Sequence, residues 1–179
     1  MKTTQRQEKN ELDALLTYDS VEVSFSGRAV THDVSFSLHA GEILGIVGES
    51  GSGKSTLLKA AMGLLGGSGL VTRGDIWFRG RNLPDLSERE LRTICGRQIG
   101  MIFQDAGASF CPIRTIGDQI CESMAAHRKI TREQAREKAL VLFEKLQLQN
   151  GHRIWERYPF ELSGGMKQRV GIAMGMTAK

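Results

Sequence analysis

The sequence has 179 residues, 40% of them apolar and 25% charged. That length suits one domain with a sizeable core, and the composition excludes a collagen-like or wholly disordered chain. Twenty-four Lys and Arg against twenty Asp and Glu leave a net charge of +4, compatible with anionic partners but too mild to point to nucleic acid.

Cys95, Cys111 and Cys121 form no CxxC pair, which argues against a disulfide scaffold or a zinc site and fits a reducing compartment. Met1 to Asn10 is polar and lacks the apolar centre of a signal peptide. No apolar run is long enough to span a bilayer.

Residues 1–17 read as a polar tail with a short apolar patch at Leu12, Leu15 and Leu16. From Val21 the pattern alternates. Val21, Val23 and Phe25, then Val34, Phe36 and Leu38, flank Ser26-Gly27-Arg28 and predict an antiparallel pair with one buried face. Ile43 to Val47 is nearly continuous apolar sequence and predicts a strand covered on both sides. A glycine-rich loop follows, then Leu57, Leu58, Ala61, Met62 and Leu65 at helical spacing, with Gly66-Gly67 as the stop.

Ile76 to Phe78 predicts a further strand. Ser87 with Glu90 has capping-box form and starts a helix to about Cys95. Ile99 to Phe103 reads as another apolar strand. Residues 115–128 and 131–148 read as two helices, the second opened by Thr131 with Gln134. Its stripe of Ala135, Ala139, Leu142, Phe143 and Leu146 belongs to a core.

The strongest signal is Gly48-Glu49-Ser50-Gly51-Ser52-Gly53-Lys54-Ser55-Thr56, which satisfies GxxxxGK[ST] between a predicted strand and a predicted helix. Its glycines let successive backbone N–H groups turn inward, and the helix aims its positive end at the same point. Lys54 can reach the β- and γ-phosphates, Ser55 can ligate Mg²⁺, and Thr56 can contact phosphate. The motif points to binding of a nucleoside triphosphate without saying which NTPase.

A second signal selects among them. Leu162-Ser163-Gly164-Gly165-Met166-Lys167-Gln168-Arg169 resembles the signature sequence of ABC-type ATPases. Ser163 would cap a helix whose first N–H groups are left open by two glycines, forming a second anion site. The resemblance implies that this motif binds the γ-phosphate of ATP held by a second ATPase subunit, same or different, in a head-to-tail pair. Gln104, directly after a predicted strand, resembles the family's Q-loop residue, which contacts Mg²⁺ and the attacking water. Phe25 resembles the aromatic that stacks on adenine, although its place on an alternating strand suits core packing too; Tyr18 is a rival for the stacking role.

The resemblance implies an α/β P-loop fold, with an N-terminal antiparallel β subdomain and a helical subdomain. Residues 18–104 would form the β-rich and phosphate-loop core, 105–162 the helical subdomain and 163–179 the signature helix. ATP and Mg²⁺ would be bound. Transmembrane permease subunits would be partners, and a substrate-binding protein an indirect one. The protein would lie in the cytoplasm, peripheral on the inner face of the cell membrane.

Three stretches look like those of oligopeptide, dipeptide and nickel importers: Gly45 to Gly51, Ser109 to Pro112 with Thr115 to Gly117, and Tyr158 to Ser163. Phe160 stands where that group often has His, and Phe110-Cys111-Pro112 where it often has Leu-Asn-Pro, so nickel stays open beside peptides.

The family's later strand ending in Asp-Glu and its downstream His have no counterpart within these residues. Leu140 to Glu144 lacks the Asp and falls in a predicted helix, and His32, His39, His127 and His152 all precede the signature. The expectation is therefore an N-terminal portion with part of its core sheet missing. Such a chain would bind MgATP, turn it over poorly, and expose apolar surface. A non-hydrolysing nucleotide-binding or regulatory module is the alternative if 179 residues is the natural length.

Overall fold

The computed structural model describes residues 14–105 and 107–177. The chain divides into two compact units, Met1–Leu91 and Arg92–Lys179.

In the first unit, β1 (Ala14–Phe25) and β2 (Arg28–His39) pair antiparallel. They are joined at Ser26 and Gly27, with φ of 49° and 79°, the two left-handed residues that a tight hairpin requires. A bulge breaks the β1 register between Tyr18 and Val21, where Ser20 has φ 51°. It explains why Tyr18, Val21 and Val23 are all buried although they do not follow a strict alternation. β3 (Gly69–Phe78) pairs with the other edge of β1, and the two-residue β4 (Arg81–Asn82) completes the sheet in the order β2-β1-β3-β4.

The helix α1 (Lys54–Ala61) buries Leu57, Ala60 and Ala61. The Tyr18 hydroxyl donates to the Leu57 carbonyl at 2.8 Å, tying helix to sheet. Pro84 opens a 3-10 turn at Leu83–Asp85, and α2 (Glu88–Ile94) follows. Its capping box forms as expected: Ser87 N–H donates to Glu90 Oε2 at 3.0 Å, and Glu90 N–H to Ser87 Oγ at 3.4 Å.

Four helices build the second unit: α3 (Ile116–Ala125), α4 (Arg132–Lys145), α5 (Gly151–Glu156) and α6 (Gly164–Met176). Phe143, Ile116, Ile120, Trp155 and Val170 are central to their common core. Thr131 and Gln134 make the reciprocal capping box that the sequence predicts. Gly117 lets α3 approach Trp155, since a Cβ there would lie 2.4 Å from the indole.

Several sequence expectations need correction. Ile43 to Val47 forms no strand. Ile43 and Val47 are 97% and 93% exposed, because no described segment pairs with this run and a parallel strand exists only through its neighbours. Ile99 to Phe103 is likewise irregular, apart from one isolated bridge between Cys95 and Ile99. The predicted strand at Ile76 to Phe78 is only the end of β3. β1 starts at Ala14, inside the segment assigned to the tail, while Leu12 lies outside the described residues. Helix α5 has no counterpart among the elements predicted from sequence.

Candidate functional site

The glycine-rich loop leads directly into α1. Gly53 is the N-cap, in the left-handed region at φ 88°. A Cβ there would lie 2.6 Å from Thr31 Cγ2 and 3.3 Å from the Val30 carbonyl oxygen. Conformation and close approach to β2 therefore both require glycine at 53. Gly51 also has a left-handed φ, 84°, with open space where a Cβ would stand. No side chain caps α1 and no acidic residue occupies its first turn, so its first N–H groups and its positive end face outward unneutralised.

Lys54 folds back over the loop. Its Nζ donates to the Gly48 carbonyl at 2.8 Å, the Glu49 carbonyl at 2.5 Å and Ser52 Oγ at 3.2 Å. The ammonium thus sits on the carbonyl side of the loop, where Ser52 N–H also closes a turn on the Glu49 carbonyl at 3.2 Å, and an anion arriving there would meet the N–H groups of the first turn of α1 and a movable cation. Glu49, Ser50, Ser52 and Ser55 are exposed, and Thr56 is half-buried. This donor set fits a polyphosphate. Among the described residues no cluster of three or more His, Cys, Asp or Glu could hold a metal ion. The Ser55 hydroxyl suits a Mg²⁺ ion that arrives carried by phosphate oxygens.

Phe25 ends β1, half-buried, beside Gly69, where a Cβ would stand 2.7 Å from its ring. Tyr18 is not a surface ring. It is 2% exposed, stacks on Phe36 at 4.3 Å between centroids, and burial pushes its phenol pKa well up. It belongs to the core, which removes it as a rival for stacking. No local spacing signals that Val30 and Thr31 buttress Gly53.

The second unit carries the other two motifs. Ser163 is the N-cap of α6; its backbone is extended and its Oγ accepts from Met166 N–H at 3.4 Å. Leu162 is buried and anchors the motif in the helical core. Gly164 and Gly165 are exposed, with nothing within 4 Å of a Cβ at either. The first turn again lacks an acidic residue. Met166 and Lys167 are half-buried and Gln168 is exposed. Gln104 is exposed at the end of an irregular segment, not of a strand.

Two further residues shape the segment after Gln104. The Asp105 carboxylate accepts from Ala108 N–H at 3.1 Å. The buried Gln119 amide accepts from Cys111 N–H at 2.9 Å and donates to the carbonyls of Cys111, Arg114 and Thr115 at 3.1, 3.0 and 3.4 Å. The Asp-x-Gly spacing hinted at the first; no local signal marked the second. Burial pushes the Cys95 and Cys121 thiols up, away from the reactive thiolate. Among the described residues no helix is long and apolar enough to cross a membrane.

Comparison with known proteins gives a consistent picture. The family described as ABC transporter matches residues 31–179. The chain is 39% identical over 175 residues to the oligopeptide transport ATP-binding protein OppD of Escherichia coli, covering 96% of this chain and 52% of that protein. It is 38% identical over 170 residues to the dipeptide transport ATP-binding protein DppD of Bacillus subtilis, covering 92% and 51%. The chain thus spans about half the length of these curated relatives. Among solved structures, a dimeric ATP-binding cassette in a post-hydrolysis state with ADP and Pi superposes with a TM-score of 0.78 at 26% identity, covering 91% of this chain and 69% of that one. A Clostridium perfringens cassette from the cbiONQ transporter complex shares the fold, with a TM-score of 0.71 at 22% identity.

Proposed function

The chain belongs to the ABC transporter family, and from that premise we propose that it forms the nucleotide-handling part of the ATPase subunit of a peptide importer. The observation that carries the reading is the uncapped N-terminus of α1 behind a glycine loop, with Lys54 Nζ held by that loop's own carbonyls. ATP phosphates would take N–H groups of the loop from Gly48 to Thr56, and Lys54 would exchange carbonyl partners for phosphate oxygens, a stronger charge-assisted pairing. Ser55 and Gln104 would be the residues toward Mg²⁺. When bound, that ion neutralises charge on the β- and γ-phosphates. Phe25 would stack on adenine.

The residues from Leu162 to Gln168 would face the nucleotide of a second ATPase subunit. The division of labour proposed is residues 18–104 for the nucleotide, 105–162 for the helical subdomain and 163–179 for the signature helix. Permease subunits would hold the assembly at the inner face of the cell membrane, with a substrate-binding protein delivering the cargo. The relatives' names support peptides over nickel complexes as that cargo. The 179-residue polypeptide tested by itself would bind MgATP yet hydrolyse it slowly, since no carboxylate of the Asp-Glu type follows an apolar strand within it. Lack of a general base costs about 10²–10⁴ in rate.

The test is a titration with a fluorescent ATP analogue together with a phosphate-release assay. Saturable, Mg²⁺-dependent binding with little turnover supports the reading. Absence of binding refutes it.

A further inference from the structure

We propose that a groove on the first unit's β sheet binds a short peptide with free termini, Asp19 holding the ammonium group, Arg79 the carboxylate and Trp77 the side chain between them. The groove lies within Met1–Leu91, and nucleotide binding has no part in it. Tyr18 directs its hydroxyl to Leu57 in α1. Its neighbours Thr17 and Asp19 on β1 therefore point to the opposite face of the sheet. There they line a cavity of about 860 Å³ together with Ser35 and Ser37 of β2, Trp77 of β3 and Arg79, a size that suits a small ligand.

The groove residues fall in rows across the sheet. Thr17 pairs with Ser37 on one side and Trp77 on the other, and Arg79 N–H donates to the Leu15 carbonyl at 3.2 Å. Asp19 and Arg79 thus lie four residues apart along β1, about 13 Å, with the Trp77 row midway. An extended peptide of three or four residues spans about 10–14 Å. Asp19 and Arg79 are exposed, and among the described residues neither has an ion-pair partner. The Arg79 guanidinium carbon lies 5.6 Å from the centre of the Phe78 ring. Asp75, level with Asp19, adds negative charge to that end. Opposite charges at the two ends of one groove complement the two ends of a zwitterion.

The floor between them is polar. Thr17 Oγ1 accepts from Ser37 Oγ at 3.3 Å, and Ser35 Oγ accepts from Ser20 N–H at 2.8 Å. The Thr17 and Ser35 hydroxyls therefore keep their own protons for a ligand carbonyl. Trp77 is 41% exposed beside this floor, a large apolar ring where a peptide side chain would cover it. A sugar could use the ring and the hydroxyls, but it would leave both charges unmatched.

The experiment follows the indole N–H signals of Trp77 and Trp155 by proton–nitrogen correlation NMR on the 179-residue chain. The chain is titrated at fixed ionic strength with alanyl-leucyl-alanine, its N-acetylated form, its C-amidated form and maltotriose. The expected result is a saturable shift at Trp77, and not at Trp155, with the free peptide. Blocking either terminus should weaken binding about threefold or more, the upper range for one exposed charge pair. Asp19→Asn should weaken the free peptide as acetylation does, and acetylation should then cost nothing further. Arg79→Gln should do the same for amidation. The blocked peptides test both contacts on the unaltered chain, so the result does not depend on a variant that unfolds. No saturable shift at Trp77, equal affinity for free and blocked peptides, or tighter binding of maltotriose overturns the inference, and each leaves the nucleotide reading standing.

Discussion

Tyr18 Oη donates to the Leu57 carbonyl oxygen at 2.8 Å, with both residues buried. This bond joins an inner strand of the β sheet to the helix that carries the phosphate loop. Tyr18→Phe keeps the ring and its stack on Phe36 but removes the donor. The expected cost is about 1 kcal/mol, the usual net value of one buried hydrogen bond. It is read from urea unfolding followed by Trp77 fluorescence in a Trp155→Phe background, because Trp77 reports on the first unit alone.

Gly117 allows α3 to pass close to Trp155. Gly117→Ala would drive a methyl into the indole, 2.4 Å from Cε2 where ordinary contact needs more than 3.4 Å. A helix interior normally gains from this change, by roughly 0.5–1 kcal/mol. Here overpacking, about 1–3 kcal/mol, should win and destabilise the second unit. Trp155 fluorescence during denaturant unfolding in a Trp77→Phe background checks the sign.

Asp118 supplies a pH dependence. Arg132 hydrogen-bonds its carboxylate at 2.5 Å, and that bond, followed by one with Thr115, holds its pKa below the ordinary 3.8. A lowered native pKa stabilises the fold above the unfolded value, and the gain is lost as pH falls through the native pKa. Stability of the second unit should therefore be flat in this respect at neutral pH and fall below about pH 4. Asp118→Asn should remove that part of the acid slope, as measured by thermal unfolding of both proteins between neutral and acid pH. Arg132 is exposed and Asp118 half-buried, so solvent screens the pair and the effect is small.

Ser163→Ala removes the side-chain cap at the N-terminus of α6. The bond is long, 3.4 Å, so the loss should sit at the lower end of the cap range, about 0.5–1 kcal/mol. Thermal unfolding followed by Trp155 fluorescence tests it, again with Trp77 replaced by Phe.

Local signals carried most of what could be read from sequence. The hairpin at Ser26-Gly27, the capping boxes at Ser87 and Thr131, the Ser163 cap and the phosphate-loop helix all depend on residues within a few positions of one another, and all are present. The two apolar runs fared otherwise. Ile43 to Val47 and Ile99 to Phe103 have strand composition, but strand pairing is a property of neighbours distant in sequence, and the described residues supply none beyond the Cys95–Ile99 bridge. Helix α5 was hidden by its entry: Asn150-Gly151 looks like a turn, and Asn150 does adopt a left-handed φ of 58°, yet buried Ile154 and Trp155 draw the next turn into the core. The Gly53 buttress from Val30 and Thr31, and the Gln119 clamp, are tertiary contacts with no local spacing to reveal them.

The central claim is that Lys54 and the open amides of α1 bind a triphosphate. The most direct measurement is the equilibrium titration of the chain and of Lys54→Ala with an ATP analogue in Mg²⁺, at matched ionic strength. The account predicts saturable binding by the chain, weakened at least tenfold, about 1.4 kcal/mol, by the substitution. Equal binding by the two proteins, or none by either, would contradict it.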